Sequence, residues 1–177
     1  MSGITLLVEE PKWRSHRGLA ARLTEAAEAA RRSARLKGGV TILLANDKKL
    51  KALNHNFRGF DKPTNVLSFP GADGSLNGRT DGRRAARPQS GRSARPADAY
   101  AGDIAIAYGV TSKEAKAAAK TFADHAAHLV VHGVLHLAGY DHERPKDAKV
   151  MEPLEVKILG RLGIADPYAV PDRVTGR

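Results

Sequence analysis

Mixed helix and strand, folded as a single domain over residues 1–177, is what this chain predicts. Three observations carry it. Four short runs of branched aliphatic residues have strand length. Five longer stretches read as helices, the first by apolar residues repeating at steps of three and four. The hydrophobic fraction of 42% over 177 residues is enough for one core without staples.

The elements follow in order. Ile4–Val8 is a strand by its β-branched and leucine content. Leu19, Leu23, Ala26, Ala27, Ala30 and Ala34 define one helix face, with Gly38 and Gly39 as its expected cap and turn. Val40–Ala45 is a second strand, apolar on both faces. Asn46 or Asp47 caps a short helix carrying Leu50 and Leu53. Val66–Phe69, stopped by Pro70, suits a sheet edge, because proline cannot donate to a ladder. Ile104–Tyr108 is the fourth strand. Thr111 or Ser112 opens a helix expected to end near Thr121. Phe122–Ala138 is the most apolar helix and therefore the central one. A last helix runs from Lys146 to Leu162, with a kink or fresh start expected at Pro153.

Composition narrows the chemistry. There is no cysteine, which excludes disulfides, thiolate metal sites and a cysteine nucleophile. No apolar run approaches the roughly 20 residues of a membrane helix, and the first residues lack a signal-peptide pattern. The expectation is a soluble, cytoplasmic protein that engages no membrane. Lys and Arg number 29 against 19 acids, a formal charge of +10, which favours a polyanionic partner. Residues 71–99 hold five Gly, six Arg and three Asp with Leu76 as the one large apolar side chain. Such a stretch buries too little to offset its ordering entropy, so it reads as a mobile loop inside the domain and a hook for phosphates.

Histidine is distributed unevenly. Of the seven, His125, His128, His132, His136 and His142 fall in one segment. His132 and His136, four apart on a helix, share a face and can both reach one ion. Gly139 can take the left-handed conformation that turns the chain back, so that His142 returns as a third ligand. His128 and His136 are separated by about 12 Å along the axis, too far for one tetrahedral ion. His125 and His128 are therefore packing groups or supports for the ligands. Three neutral imidazoles without thiolate favour Zn²⁺, with Ni²⁺ also suited, and leave a coordination position open. The offsets match the metzincin pattern His-Glu-x-x-His-x-x-Gly-x-x-His. Its glutamate, the general base, is replaced here by Gly133, which disfavours peptide hydrolysis.

The segment His132-Gly-Val-Leu-His-Leu-Ala-Gly-Tyr-Asp-His142 resembles the signature of the YbeY family of bacterial endoribonucleases and rRNA maturation factors. Asn54-His-Asn-Phe-Arg-Gly-Phe-Asp-Lys-Pro-Thr-Asn-Val-Leu-Ser-Phe-Pro70 is similar to a second family block, and Gly102–Ile106 to a third. Met151, Glu155 and the Leu162-Gly163 pair fit the family's C-terminal helix. The resemblance implies an α+β fold, a small mixed four-stranded sheet packed with about five helices, with the metal on the central helix and the loop after it. It implies one zinc per chain held by His132, His136 and His142, and Arg58 as the functional arginine. The chain departs from the family at Asn65, where Asp is common, and in the length of the 71–99 insertion.

The activity so implied is cleavage of single-stranded RNA, in 16S rRNA 3′-end maturation and ribosome quality control. Its partners would be the 16S rRNA precursor and the ribosome or its small subunit; a small-molecule substrate is disfavoured. Arg58 would stabilise charge on the phosphoryl oxygens with two parallel hydrogen bonds. Asp141 and Glu143 flank the last ligand as candidates for orienting it or acting as base. Lys62, with Arg79, Arg83 and Arg84 of the insertion, are candidate RNA contacts. Thr64 and Ser68 are read as satisfying backbone. The competing reading is a zinc-stabilised ribosome-assembly factor that binds RNA without cleaving it.

Overall fold

Residue alternation along two short strands sets up both faces of the sheet. In the strand β2 (Gly39–Ala45), Val40, Ile42 and Leu44 point to one core and Leu43 and Ala45 to another. In β4 (Tyr100–Ala107), Ile104 and Ile106 join the first core and Ala105 and Ala107 the second. The computed structural model describes residues 3–71, 100–141 and 143–169. The expected mobile loop at 71–99 lies outside the described residues except for Gly71.

The sheet has the order β1-β2-β4-β3. The first strand, β1 (Ile4–Val8), is parallel to β2, and β2 is parallel to β4. The strand β3 (Val66–Pro70) pairs antiparallel with β4, Val66 opposite Ile106 and Pro70 opposite Gly102. The sheet is thus mixed, and Pro70 sits on an edge strand as its missing donor requires. The fourth strand begins at Tyr100 rather than Ile104. Asp103 breaks the apolar run but is buried, its carboxylate accepting from the Tyr100 hydroxyl. That contact and burial push the Tyr100 phenol up to about 12, burial being the larger cause.

Helices α1 (Leu19–Ser33), α4 (Phe122–Leu137) and α5 (Pro145–Arg161) cover the face of Ile42 and Ile104; α2 (Asp47–Arg58) covers the other. Several ends differ from expectation, each for a local reason. Directly after α1, Arg35 takes a left-handed conformation at φ 54°, and Gly38, at φ 93°, makes the turn expected of it before β2. At its start α2 is capped by Asn46, whose side chain accepts from Lys49 N at 2.8 Å, and it runs on to Arg58, longer than the short helix expected. The helix α3 (Tyr108–Ala117) starts before Thr111 because Asp47, from α2, accepts from Val110 N at 3.0 Å. That carboxylate lies where a side chain at Gly109 would be, 2.3 Å from its missing Cβ. Pro153 starts no new helix; α5 is continuous through it.

Helix direction places the site. A cluster of buried Trp13 with partly buried Tyr108 and Phe122 marks the carboxyl ends of the parallel strands, with the indole donating to Ala45 O at 2.9 Å. From this end α4 runs back along β4 until Leu137 meets Gly102, whose missing Cβ would lie 2.7 Å from Leu137 Cδ2 and 2.4 Å from Phe69 O. In parallel, α2 runs from Asp47 to Phe57, whose ring packs on Phe69 at 4.9 Å. Phe57 and Leu137 therefore come to the same end of the sheet from opposite faces. Among the described residues, no helix is long and apolar enough to cross a membrane.

Candidate metal centre

Steps of three and four along α4 put His125, His128, His132 and His136 on one side of the helix. Their rings follow one another edge to face, with centroids 6.0, 6.3 and 4.5 Å apart. The last pair is the closest, and its Nε2 atoms face each other at 2.9 Å. Two nitrogens bound to one zinc at about 2.0–2.1 Å in a tetrahedron would be about 3.3 Å apart. The pair thus needs only a few tenths of an ångström of opening, by that same estimate, to share an ion.

A carboxylate behind the pair fixes its chemistry. Glu155, fully buried on α5, places Oε1 2.6 Å from His132 Nδ1 and Oε2 3.0 Å from His128 Nε2. Tyr168, beyond the helix, donates its hydroxyl to the same Oε2 at 2.5 Å. Burial alone would raise the Glu155 pKa, but the bonds from His128 and His132, the charge of His132 and the Tyr168 hydroxyl together hold it down at about 2. The Tyr168 phenol is pushed up by burial first and then by Glu155, so it stays a donor. An ionised acceptor at Nδ1 holds a proton there, so that the nitrogen His132 can offer to an ion is Nε2, which faces His136.

His128, His132 and Glu155 also form a group whose ligand atoms all lie within 4.8 Å of one another. In that group the imidazoles already spend their facing N–H groups on the carboxylate. An ion seated there would have to displace both bonds to the fully buried carboxylate. Glu155 suits the role of orienting carboxylate better than that of ligand. His125 belongs to a separate support: its Nε2 is 2.7 Å from Glu114 Oε2, and Asn65 Nδ2 donates to both oxygens of Glu114 at 3.2 and 3.1 Å. An aspartate at position 65 would set two carboxylates against each other, so the amide is what Glu114 calls for. The Nδ1 atoms of His125 and His128 are buried without a hydrogen-bond partner among the described residues.

Gly133 explains the absence of a glutamate beside the first histidine. A Cβ there would lie 3.0 Å from two atoms of Ile104 and 3.2 Å from Ser68 Oγ, so this position faces the sheet and not the histidines. Ser68 Oγ donates to Gly133 O at 3.1 Å, a backbone role as expected. Gly133→Ala is expected to destabilise by about 1 kcal/mol, crowding of 1–3 kcal/mol being partly offset by a helix-propensity gain near 1 kcal/mol. Gly133→Glu should cost several times more, read as the shift in urea midpoint.

Of the remaining candidates, Arg58 is exposed at the last turn of α2, and Lys62 is exposed in the loop that follows. Asp141 and Glu143 are exposed after α4, with Asp141 Oδ1 accepting from Glu143 N at 3.1 Å. His142, Arg79, Arg83 and Arg84 lie outside the described residues. Tyr168 and the pairing of Glu155 with His128 were not among the sequence candidates; nothing in local spacing points from the last helix back to α4.

The family model described as endoribonuclease YbeY matches residues 9–163. The chain belongs to the YbeY family. It is similar to the endoribonuclease YbeY of Chelativorans sp. (strain BNC1), 46% identical over 153 residues, which cover 86% of this chain and 83% of that one. The endoribonuclease YbeY of Maricaulis maris is 38% identical over 174 residues, 97% of this chain and 95% of that one. A solution structure of a Thermotoga maritima protein superposes with a TM-score of 0.55 at 25% identity, covering 94% of this chain and 99% of that chain. The α+β fold and the family resemblance are thereby borne out.

Proposed function

We propose that the chain is a single-strand-specific, metal-dependent endoribonuclease that acts in 16S rRNA 3′-end maturation and ribosome quality control. The observation that supports this most is the facing Nε2 pair of His132 and His136 at 2.9 Å, backed by a buried, ionised Glu155. The relatives' name, endoribonuclease, agrees with it. His132, His136 and His142 would hold one divalent ion, zinc by donor type with nickel as the alternative. Such an ion supplies Lewis acidity toward a phosphoryl oxygen or a water molecule.

The chain's own groups do the rest. Glu155 keeps the His132 proton on Nδ1 and the ring in orientation, and Tyr168 and His128 keep Glu155 in place. Arg58 approaches from the other face of the sheet at the same end and would bind the scissile phosphate through its planar fork. With a charge of +10 the surface suits RNA and the ribosomal small subunit as partners.

Cleavage of a single-stranded RNA with and without chelator tests the reading. Cleavage that disappears on chelation and returns with zinc is the expected result. RNA binding that survives chelation, with no cleavage under any metal, would instead establish an assembly factor that only binds. The product ends then tell how the bond breaks: a 2′,3′-cyclic phosphate means attack by the neighbouring 2′-hydroxyl, and a 3′-hydroxyl or a plain 3′-phosphate means attack by water.

A further inference from the structure

The aromatic side chains are partitioned between the two ends of the sheet. Trp13, Tyr108 and Phe122 pack together at the carboxyl ends of the parallel strands. The exposed aromatics among the described residues are Phe57, Phe60, Tyr100 and Tyr168. Tyr168 stands on Glu155 beside the histidine row. Phe57 and Tyr100 lie at the opposite sheet end from the Trp13 cluster, where α2 and α4 finish. Phe57 and Phe60 flank Arg58, and Phe60 is the most open of the exposed aromatics, 54% exposed.

Phe60 is held out rather than left loose. Gly59, at φ +74°, ends α2 in the left-handed conformation with its N–H on His55 O. Three residues on, Lys62 O accepts from the side chain of buried Asn54 at 2.9 Å. The segment between these anchors presents the Phe60 ring to solvent with Lys62 Nζ 5.9 Å from its centroid, within cation–π range. Phe57, 38% exposed, rests edge-on against Phe69 of the edge strand. An exposed ring on an anchored backbone beside cations is an arrangement that binds unpaired nucleobases, since every base has a π face and the neighbouring charges take the backbone.

We propose that Phe60, supported by Phe57 and Lys62, is a stacking platform for an unpaired base of the RNA whose phosphate Arg58 contacts. The proposal rests on the endoribonuclease reading and names how that site would prefer single strands: a paired base is already stacked and offers no free face. Lys62 would take the phosphate next to the stacked base.

The test uses the full chain, chelated so that nothing is cleaved, with a fluorescent single-stranded oligoadenylate and an abasic oligomer of equal length and charge. Phe60→Ala is expected to weaken oligoadenylate binding about tenfold and to leave abasic binding unchanged. Phe60→Tyr should bind like the parent, and Phe60→Leu, apolar but not aromatic, should bind like the alanine variant. Trp13 is buried, so in Phe60→Trp the exposed indole reports directly; its emission should be quenched by oligoadenylate and not by the abasic oligomer. Oligoadenylate affinity unchanged in Phe60→Ala, or an equal loss for both oligomers, overturns the platform. So does a change in self-association by sedimentation with RNA binding intact, which would make Phe60 a protein contact. A parent chain that binds oligoadenylate through Phe60 but never cleaves RNA would leave the platform standing and sink the nuclease reading.

Discussion

Replacing His136 by alanine is expected to abolish metal binding and RNA cleavage together while the fold persists. His136 is only partly buried on the last turn of α4, where its Nε2 faces the Nε2 of His132 at 2.9 Å, so little packing is lost. Zinc at parent stoichiometry in the purified variant, measured by atomic emission, would refute the ligand set. Glu155 gives a graded comparison. Glu155→Gln keeps the shape and removes the charge, and loss of such an orienting carboxylate typically lowers metal affinity 10- to 100-fold. Glu155→Ala leaves the N–H groups of His128 and His132 and the Tyr168 hydroxyl without their acceptor, and removing one partner of a buried pair costs about 3–5 kcal/mol. Acid should act in the same sense on the metal-free chain. The folded carboxyl titrates near 2, below its ordinary range, so its stabilisation is complete above that range and is lost as pH falls toward 2. In Glu155→Gln that part of the acid limb should be missing from denaturation midpoints taken across pH.

Arg58→Ala is expected to slow RNA cleavage by about 100- to 1,000-fold with zinc content and melting temperature unchanged, the usual effect of removing one charge-stabilising donor. The side chain is exposed, so its loss should not disturb the core. Arg58→Lys should recover little of the rate, because an ammonium cannot make two parallel bonds to a phosphate. Parent-like cleavage by Arg58→Ala at full zinc occupancy would remove this residue from the mechanism.

What could be seen in the linear chain was whatever repeats locally. The alternation of Val40, Ile42 and Leu44 marked β2, and the spacing of four between His132 and His136 marked a shared face before any partner was known. The supports of those histidines come from elsewhere in the fold. In the linear chain Glu155 is distinguished only by its fit to the family's C-terminal helix, and only the packing of α5 on α4 buries it against His128 and His132. The same is true of the start of α3, which Asp47 satisfies from another helix, and of Asp103, whose charge hid the first half of β4. Asp141 and Glu143 were conspicuous because they flank His142 in the chain, whereas the acid that touches the ring of His132 is 23 residues away.

The common direction of α1, α2 and α4 has an electrostatic consequence. Each helix ends with outward-pointing carbonyls equivalent to about half a negative charge, and all of them end at the side of the sheet where His136 and Arg58 stand. Such an end draws in a cation and repels phosphate. The last turns carry the counterweight: Arg31 and Arg32 on α1, His55 and Arg58 on α2 and His136 on α4. The backbone thereby makes a natural seat for a divalent ion, and basic side chains reverse the sign of the surrounding field so that a nucleic acid can approach it.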